Sequence, residues 1–354
     1  MGNVIAYSGI SAKVRAMQAQ LLSEEDFKRL GSFASSHSRA AFLRTFRPYR
    51  DSFDENEGTL HRADIERRLL LSIYRDFDKL YRFSGQQQRR FLNLYFEHFE
   101  ARRIKACLQA VIARGEMPDV GLYWPFMQKY AHVDLIRLCK SDRLETFIDN
   151  LEGTVYHAIL KRLYDSNAAG LADYETAIDM RYFNTMWKKK DKVLTKEGSR
   201  IIAKTLGSRI DFLNLSWIYR SKKYYRMTPQ EIYGLLIPVR YRISLEEMKR
   251  MVEADSLEAF EQAERQTYYG DMMERCRAEA RSLYEAAEQL LAEIYKTSAR
   301  ENPYSIAPLN TYFFLKEREI VRIVNIIERA HYQEQQPDRA AGEAAGRRTG
   351  DANK

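Results

Sequence analysis

Glycine and proline are scarce in this chain, 16 and 8 of 354 residues. A β-rich or α/β fold of this length needs far more turn punctuation than that, so the composition points to helix. Cysteine is scarcer still. Cys107, Cys139 and Cys276 form an odd, scattered set that argues against a disulfide framework or a zinc knuckle and fits a reducing cytoplasm. Each is expected to pack as a small apolar residue. No run approaches the roughly 18 apolar residues of a membrane span; the stretch 235–239 is among the most apolar and is interrupted by Pro238. The first residues lack a basic region followed by an apolar run, so no signal peptide is expected. Ala6 stands where a myristoylation motif would want Ser or Thr. Any work at a membrane is therefore expected from outside the bilayer.

The signatures of catalysis are missing too. There is no Gly-x-x-x-x-Gly-Lys-Ser/Thr loop, no Gly-x-Gly-x-x-Gly and no Gly-x-Ser-x-Gly. Gly198 and Gly207 each stand alone on what reads as a helix, with nothing to wrap a phosphate. None of the six histidines, His37, His61, His98, His132, His157 and His331, is spaced to put two imidazoles on one helix face. His98 with Glu97 and Cys107 matches no ligand pattern. Glu317 and Glu319 read as helix-surface groups, Glu319 paired with Arg322. No catalytic, cofactor-binding or metal-binding residue is assigned, and no small-molecule substrate is expected.

What is present is charge, of both signs. The chain carries 57 basic and 49 acidic residues, net +8, mostly alternating along what read as solvated helix faces. Two local excesses stand out: Lys188, Lys189 and Lys190 with Lys192, and Arg220, Lys222, Lys223 and Arg226. They are the candidate partner-interface residues. Tyr224 and Tyr225 lie inside the second cluster. Basic residues interleaved with aromatics can bind single-stranded nucleic acid by stacking, but on helices the commoner use of such tyrosines is a protein interface. No nucleic-acid partner is expected.

Helical patterning is clear. Leu92, Phe96, Phe99, Ile104, Leu108 and Val111 form one apolar stripe, Ile202, Leu206, Ile210, Leu213 and Trp217 a second. Cys276, Ala280, Leu283, Ala287, Leu290 and Ile294 read as a third, on one long helix. Thr228-Pro229-Gln230-Glu231 and Ser244-Leu245-Glu246-Glu247 are helix starts of the capping-box type. A repeat is expected as well. Pro125 and Pro238 follow similar apolar residues 113 apart, and Leu144 and Phe147 fall on Leu257 and Phe260 at the same offset. An offset of 117 takes this block back to Ser23-Glu24-Glu25-Asp26-Phe27, with Leu30 on Phe147. Ile104, Leu215 and Ile320 are equivalent anchors, followed four residues later by Leu108, Tyr219 and Val324. The fold class expected is all-α, built of three pseudo-equivalent helical bundles over 1–115, 116–227 and 228–332. A ring-like or cup-like body follows from such units. Residues 333–354 read as a disordered tail, and 51–58 as an acidic loop.

The order and spacing of these elements bring a family to view. Ala6-Tyr7, Ala12-Lys13-Val14-Arg15-Ala16-Met17 and Leu21-Leu22 resemble the opening of the C subunit of V-type ATP synthases, named d in eukaryotic enzymes. The run Asp211 to Arg220 is similar to that family's Asp-x-x-Asn-hydrophobic element with a trailing arginine, and Lys316 to Val324 is similar to its last helix. The likeness covers roughly residues 4 to 330. Arg103 and Glu319 stand where the second copy has Asn214, a departure from any shared polar contact. The resemblance implies a funnel of three helical domains on the cytoplasmic side of a proteolipid ring. There such a protein receives the central shaft, made of the D and F subunits, and couples its rotation to the ring, without binding nucleotide or ions. Three rival readings remain at the level of sequence: a helical adaptor of an unrelated assembly, a helical enzyme whose polar cluster forms only in space, and a nucleic-acid binder.

Overall fold

The computed structural model describes residues 2–53, 62–119, 121–167, 170–278, 280 and 282–350, with side chains at all of these except 2, 3, 36, 62, 63 and 330–350. Among the described residues the chain is helical throughout and has no strand. It opens with α1 (Gly2–Gln18), α2 (Glu24–Ser32) and α3 (Ser36–Arg44), then a 3-10 turn at Arg50–Ser52, α4 (Arg62–Phe83) and α5 (Gln86–Ala113). Short helices α6 (Trp124–Tyr130), α7 (Leu135–Cys139), α8 (Leu144–Asp149) and α9 (His157–Asp165) lead to α10 (Leu171–Val193) and α11 (Lys196–Arg220). A π turn, Ser221–Tyr225, precedes α12 (Pro229–Leu235), α13 (Leu245–Glu253), α14 (Leu257–Arg265), α15 (Gly270–Arg277), α16 (Leu283–Glu301) and α17 (Ala307–Gly350). Two compact units emerge, residues 1–11 with 81–311, and residues 12–80 with 312–354.

Local chemistry explains the helix starts. Thr228 and Ser244 cap α12 and α13 with reciprocal capping boxes, and Pro229 opens α12. Ser23 caps α2 in the same way. The first two stripes lie on α5 and α11 as expected, and Leu92, Phe96, Phe99, Ile104 and Leu108 are fully buried. Burial of each such side chain contributes about 1.5–3 kcal/mol. The third stripe is not one helix: α15 ends at Arg277 and α16 starts at Leu283. Ser282 is the reason, because its side chain accepts the Glu285 N–H and starts a new helix. The backbone of α17 runs on to Gly350, where composition pointed to a disordered tail. Ala, Glu, Gln and Arg there are good helix formers, and side chains from 330 on lie outside the described residues. Of the expected acidic loop, 54–58 lies outside them too, while 50–52 form the 3-10 turn.

In the first unit α5 and α10 pack antiparallel. Lys189 pairs with Glu97, Lys105 with Asp179 and Gln109 with Glu175, numbers rising on one helix as they fall on the other. Partly exposed pairs of this kind contribute about 0–1 kcal/mol each, so they set register while the apolar stripe supplies stability. α11 packs on α16, with Lys204 reaching Glu301.

A buried polar arrangement occurs three times. Glu100 on α5 accepts the His132 N–H, just ahead of α7, and the hydroxyl of Tyr156, which starts α9. Asp211 on α11 accepts the Arg242 N–H at 2.8 Å, just ahead of α13, and the Tyr269 hydroxyl at 3.0 Å, at the start of α15. In the second unit Glu319 on α17 accepts the Leu22 N–H at 2.5 Å, just ahead of α2, and the hydroxyl of Tyr49, which starts the 3-10 turn. All three carboxylates and all three tyrosines are buried. Each carboxylate thus ties a long helix to two other helix starts, later in the chain for Glu100 and Asp211 and earlier for Glu319, that the sequence pattern alone does not join. Glu319 is therefore not the surface residue expected. Lys316, fully buried, is its partner at 3.0 Å, while Arg322 pairs with Glu24.

The three ties fall at a regular offset from buried apolar residues. Four residues on from Glu100, Asp211 and Glu319 stand Ile104, Leu215 and Ile323, all buried; Ile320, the expected third anchor, is buried too. A helix presents the same face three or four residues on, so apolar anchors survive a slip of one turn and polar partners do not. The prolines part company likewise: Pro125 sits in the first turn of α6, whereas Pro238 follows α12.

Burial holds the Asp211 carboxyl up at about 6, against hydrogen bonds from the Arg242 and Tyr241 N–H groups and the Tyr269 hydroxyl that favour the charged form. A carboxyl raised from 3.8 binds its proton more tightly in the folded state, so folding gains stability as pH falls from above 6 towards 4. At about 1.4 kcal/mol per unit, this gain is at most ~3 kcal/mol. Wild type should therefore gain on Asp211→Asn between pH 7 and pH 5 in thermal melts; a pH-independent difference would contradict this assignment.

Candidate partner interface

The two basic clusters have different fates. In the first, Lys188 and Lys192 are exposed, but Lys189 is engaged by Glu97. Lys190 is buried, its Nζ 2.7 Å from Asp191 and 4.5 Å from the centre of the Trp187 ring. The cluster is therefore not a continuous basic patch: Lys189 reaches across to α5, and Lys190 folds back onto its own helix. Trp187, one turn before Lys190, is the sequence signal by which this use could have been found.

The second cluster caps α11. Lys222 turns inward and donates to the carbonyls of Val252 and Ala254, both at 2.7 Å, at the C-terminal end of α13. A cation there complements the helix dipole, and burial lowers its pKa from the usual lysine value. Tyr219 stacks near Phe260 of α14, with 5.9 Å between ring centres. Together with the Asp211 tie to Arg242, these contacts fix the end of α11 to α13 and α14. The π turn Ser221–Tyr225 follows directly. From it project Arg220, Lys223, Tyr224, Tyr225 and Arg226, all exposed, both tyrosine side chains more than 60% so (63% and 65%). Lys223 bonds the Tyr219 hydroxyl at 2.8 Å and lies over the Tyr219 and Tyr224 rings.

The turn closes with Arg226 in the left-handed region, φ 50°. A non-glycine residue costs about 1 kcal/mol there, and glycine would fit without strain. Arg226→Gly should consequently melt no lower than wild type, and up to about 2 °C higher. A variant that melts lower would show that the Arg226 side chain stabilises the fold. Chemically, the turn offers cations and broad aromatic faces, a surface suited to an acidic polypeptide or anionic headgroups. Among the described residues no group of three or more His, Cys, Asp or Glu is placed to hold a metal ion.

A family model described as ATP synthase (C/AC39) subunit matches residues 10–339. The chain belongs to the ATP synthase (C/AC39) subunit family. Similar proteins include the C subunit of the A-type ATP synthase of Thermococcus kodakarensis, 27% identical over 90% of this chain and 84% of that protein. That of Methanococcoides burtonii is 24% identical over 90% of this chain and 88% of its own length. That of Pyrococcus horikoshii is 24% identical over 90% and 84%. Membership in this family places the chain in an ATP synthase complex, with other subunits of that complex as partners. Among the described residues, no helix is long and apolar enough to cross a membrane.

Proposed function

We propose that this chain is a non-catalytic central-stalk rotor component that couples the D–F shaft to the membrane proteolipid ring. On this reading it sits on the cytoplasmic face, peripheral to the membrane, and transmits rotation for ion transport and ATP synthesis or hydrolysis. The observation that carries the reading is the family match over nearly the whole chain, 10–339. The repeated carboxylate–tyrosine tie supports three pseudo-equivalent helical bundles, since a threefold sequence origin would leave such a mark. Torque transfer requires stiffness, and close-packed helices locked by buried polar ties resist shear.

Within this proposal the turn at 220–226 is a docking point for acidic loops of the ring or for anionic headgroups, through Arg220, Lys223 and Arg226. Lys188 is the only residue of the 188–190 run left exposed for such a role. The test is a pull-down of the purified chain with a detergent-solubilised ring and, separately, a D–F shaft. A ternary complex is expected. The double variant Lys223→Glu, Arg226→Glu should weaken one of the two attachments at least about 10-fold at low salt, as like-charge contacts at interface rims do. No binding of wild type to either partner would sink the rotor reading and leave a helical adaptor of another assembly. Unchanged binding of the variant would remove only the turn from it.

A further inference from the structure

Cys107 and Cys139 are distant in sequence, yet their sulfurs lie 3.5 Å apart where α5 meets α7. Cys107 is fully buried within α5, while Cys139, the last residue of α7, is half-exposed. A disulfide requires about 2.05 Å between sulfurs, so closing the gap takes a rotation of the two side chains and roughly 1.5 Å of movement. We propose that Cys107 and Cys139 are a reversible dithiol–disulfide site, oxidised by hydroperoxides and reduced again by small or protein dithiols.

The two thiols are unequal in a way that assigns their roles. The hydrogen bond from Cys107 lowers the pKa of Cys139, whereas that contact and burial push Cys107 up. Cys139, the one solvent reaches, is the attacking sulfur. Its thiolate attacks the peroxide O–O bond, forming a sulfenic acid and releasing hydroxide, or the alcohol of an organic peroxide. The Cys107 sulfur then attacks the sulfenic sulfur. The S–S bond forms, and the hydroxyl leaves as water with the Cys107 proton. Both sulfurs are oxidised by one electron each and the peroxide is reduced by two, so the step balances. Burial of Cys107 directly beside Cys139 favours this closure over further oxidation, because the resolving thiol is nearer than a second peroxide.

The bridge would tie the end of α7 to the C-terminal part of α5. Glu100 already holds the chain there through His132, at the start of the same short segment. Oxidation would thus fasten this segment at both ends. Cys276, on α15, is outside the pair.

The experiment uses the full purified chain, a slight excess of hydrogen peroxide, quenching with an alkylating reagent, and peptide mapping. Expected is a loss of two hydrogens from the chain, a Cys107–Cys139 linked peptide, and full recovery of two thiols with dithiothreitol. Bridge formation should run at least ~10-fold faster in native protein than in protein unfolded by urea, since only the fold holds the sulfurs together. The oxidised chain should melt several degrees above the reduced one, a rise absent in Cys139→Ser. Sulfinic acid at Cys139 with Cys107 still alkylated would overturn the proposal. So would equal rates of bridging in native and unfolded protein.

Discussion

Glu319→Ala is expected to destabilise the second unit by about 3–5 kcal/mol, the scale found when one partner of a buried charge pair is removed. The carboxylate is 5% exposed and serves three groups at once. Lys316, with no exposed surface, bonds it at 3.0 Å; the Leu22 N–H and the Tyr49 hydroxyl donate to it as well. Removing it leaves a buried ammonium 3.8 Å from the centre of the Tyr49 ring, with the Asp76 carboxylate as the remaining negative charge nearby. It also leaves a buried backbone N–H without an acceptor, and that alone costs about 1–3 kcal/mol. Glu319→Gln keeps an acceptor and loses only the charge, so it should fall between the two. The double variant Lys316→Met, Glu319→Leu removes both charges and should recover part of the loss. Urea unfolding and exchange of the Leu22 amide measure these effects. If Glu319→Ala unfolds within about 1 kcal/mol of wild type and the Leu22 amide stays protected, the tie is not what holds α2 to α17.

Gly270→Ala should be almost as damaging, for a steric reason. A Cβ at this position would lie 1.9 Å from the Arg265 carbonyl oxygen and 2.6 Å from its carbon. Both are backbone atoms, so no side-chain rotation relieves the contact: α14 and α15 must separate. The residue before it is Tyr269, whose hydroxyl bonds Asp211, so the shift propagates into the tie on α11. A loss above ~3 kcal/mol is expected, comparable to severe overpacking. Gly234→Ala, in α12, is the matched control. Nothing lies within 4 Å of its Cβ position, and alanine is the better helix former, by up to about 1 kcal/mol. Thermal melts should therefore move in opposite directions for the two substitutions. A Gly270→Ala protein that melts like wild type would refute the steric argument.

Much of the fold was legible along the chain because its causes are local. Scarce glycine and proline, apolar residues at helical spacing and Ser/Thr-x-x-Glu starts act within one or two turns, and they yield the all-helical class, the stripes on α5 and α11 and the caps of α12 and α13. The basic character of the turn after α11 was legible for the same reason. Apart from the local break at Ser282 and the helical run of α17, what failed depended on neighbours remote in sequence. Glu319 looked like a surface residue because its partners Leu22 and Tyr49 lie 297 and 270 positions away. Lys189 looked like part of a basic patch because Glu97 is 92 positions away, and Cys107 looked isolated because Cys139 is 32 away. Glu100, Asp211 and Glu319 share one role, and the apolar anchors around them did not single these carboxylates out. Hydrophobic burial is non-directional and tolerates a slip of one turn, whereas a buried carboxylate demands specific donors. The sequence by itself therefore determined the all-helical class and, for α5 and α11, which face is apolar. Tertiary structure alone decided which charged groups are buried ties and which, at the turn 220–226, are left facing outward, because only packing brings distant donors to a carboxylate.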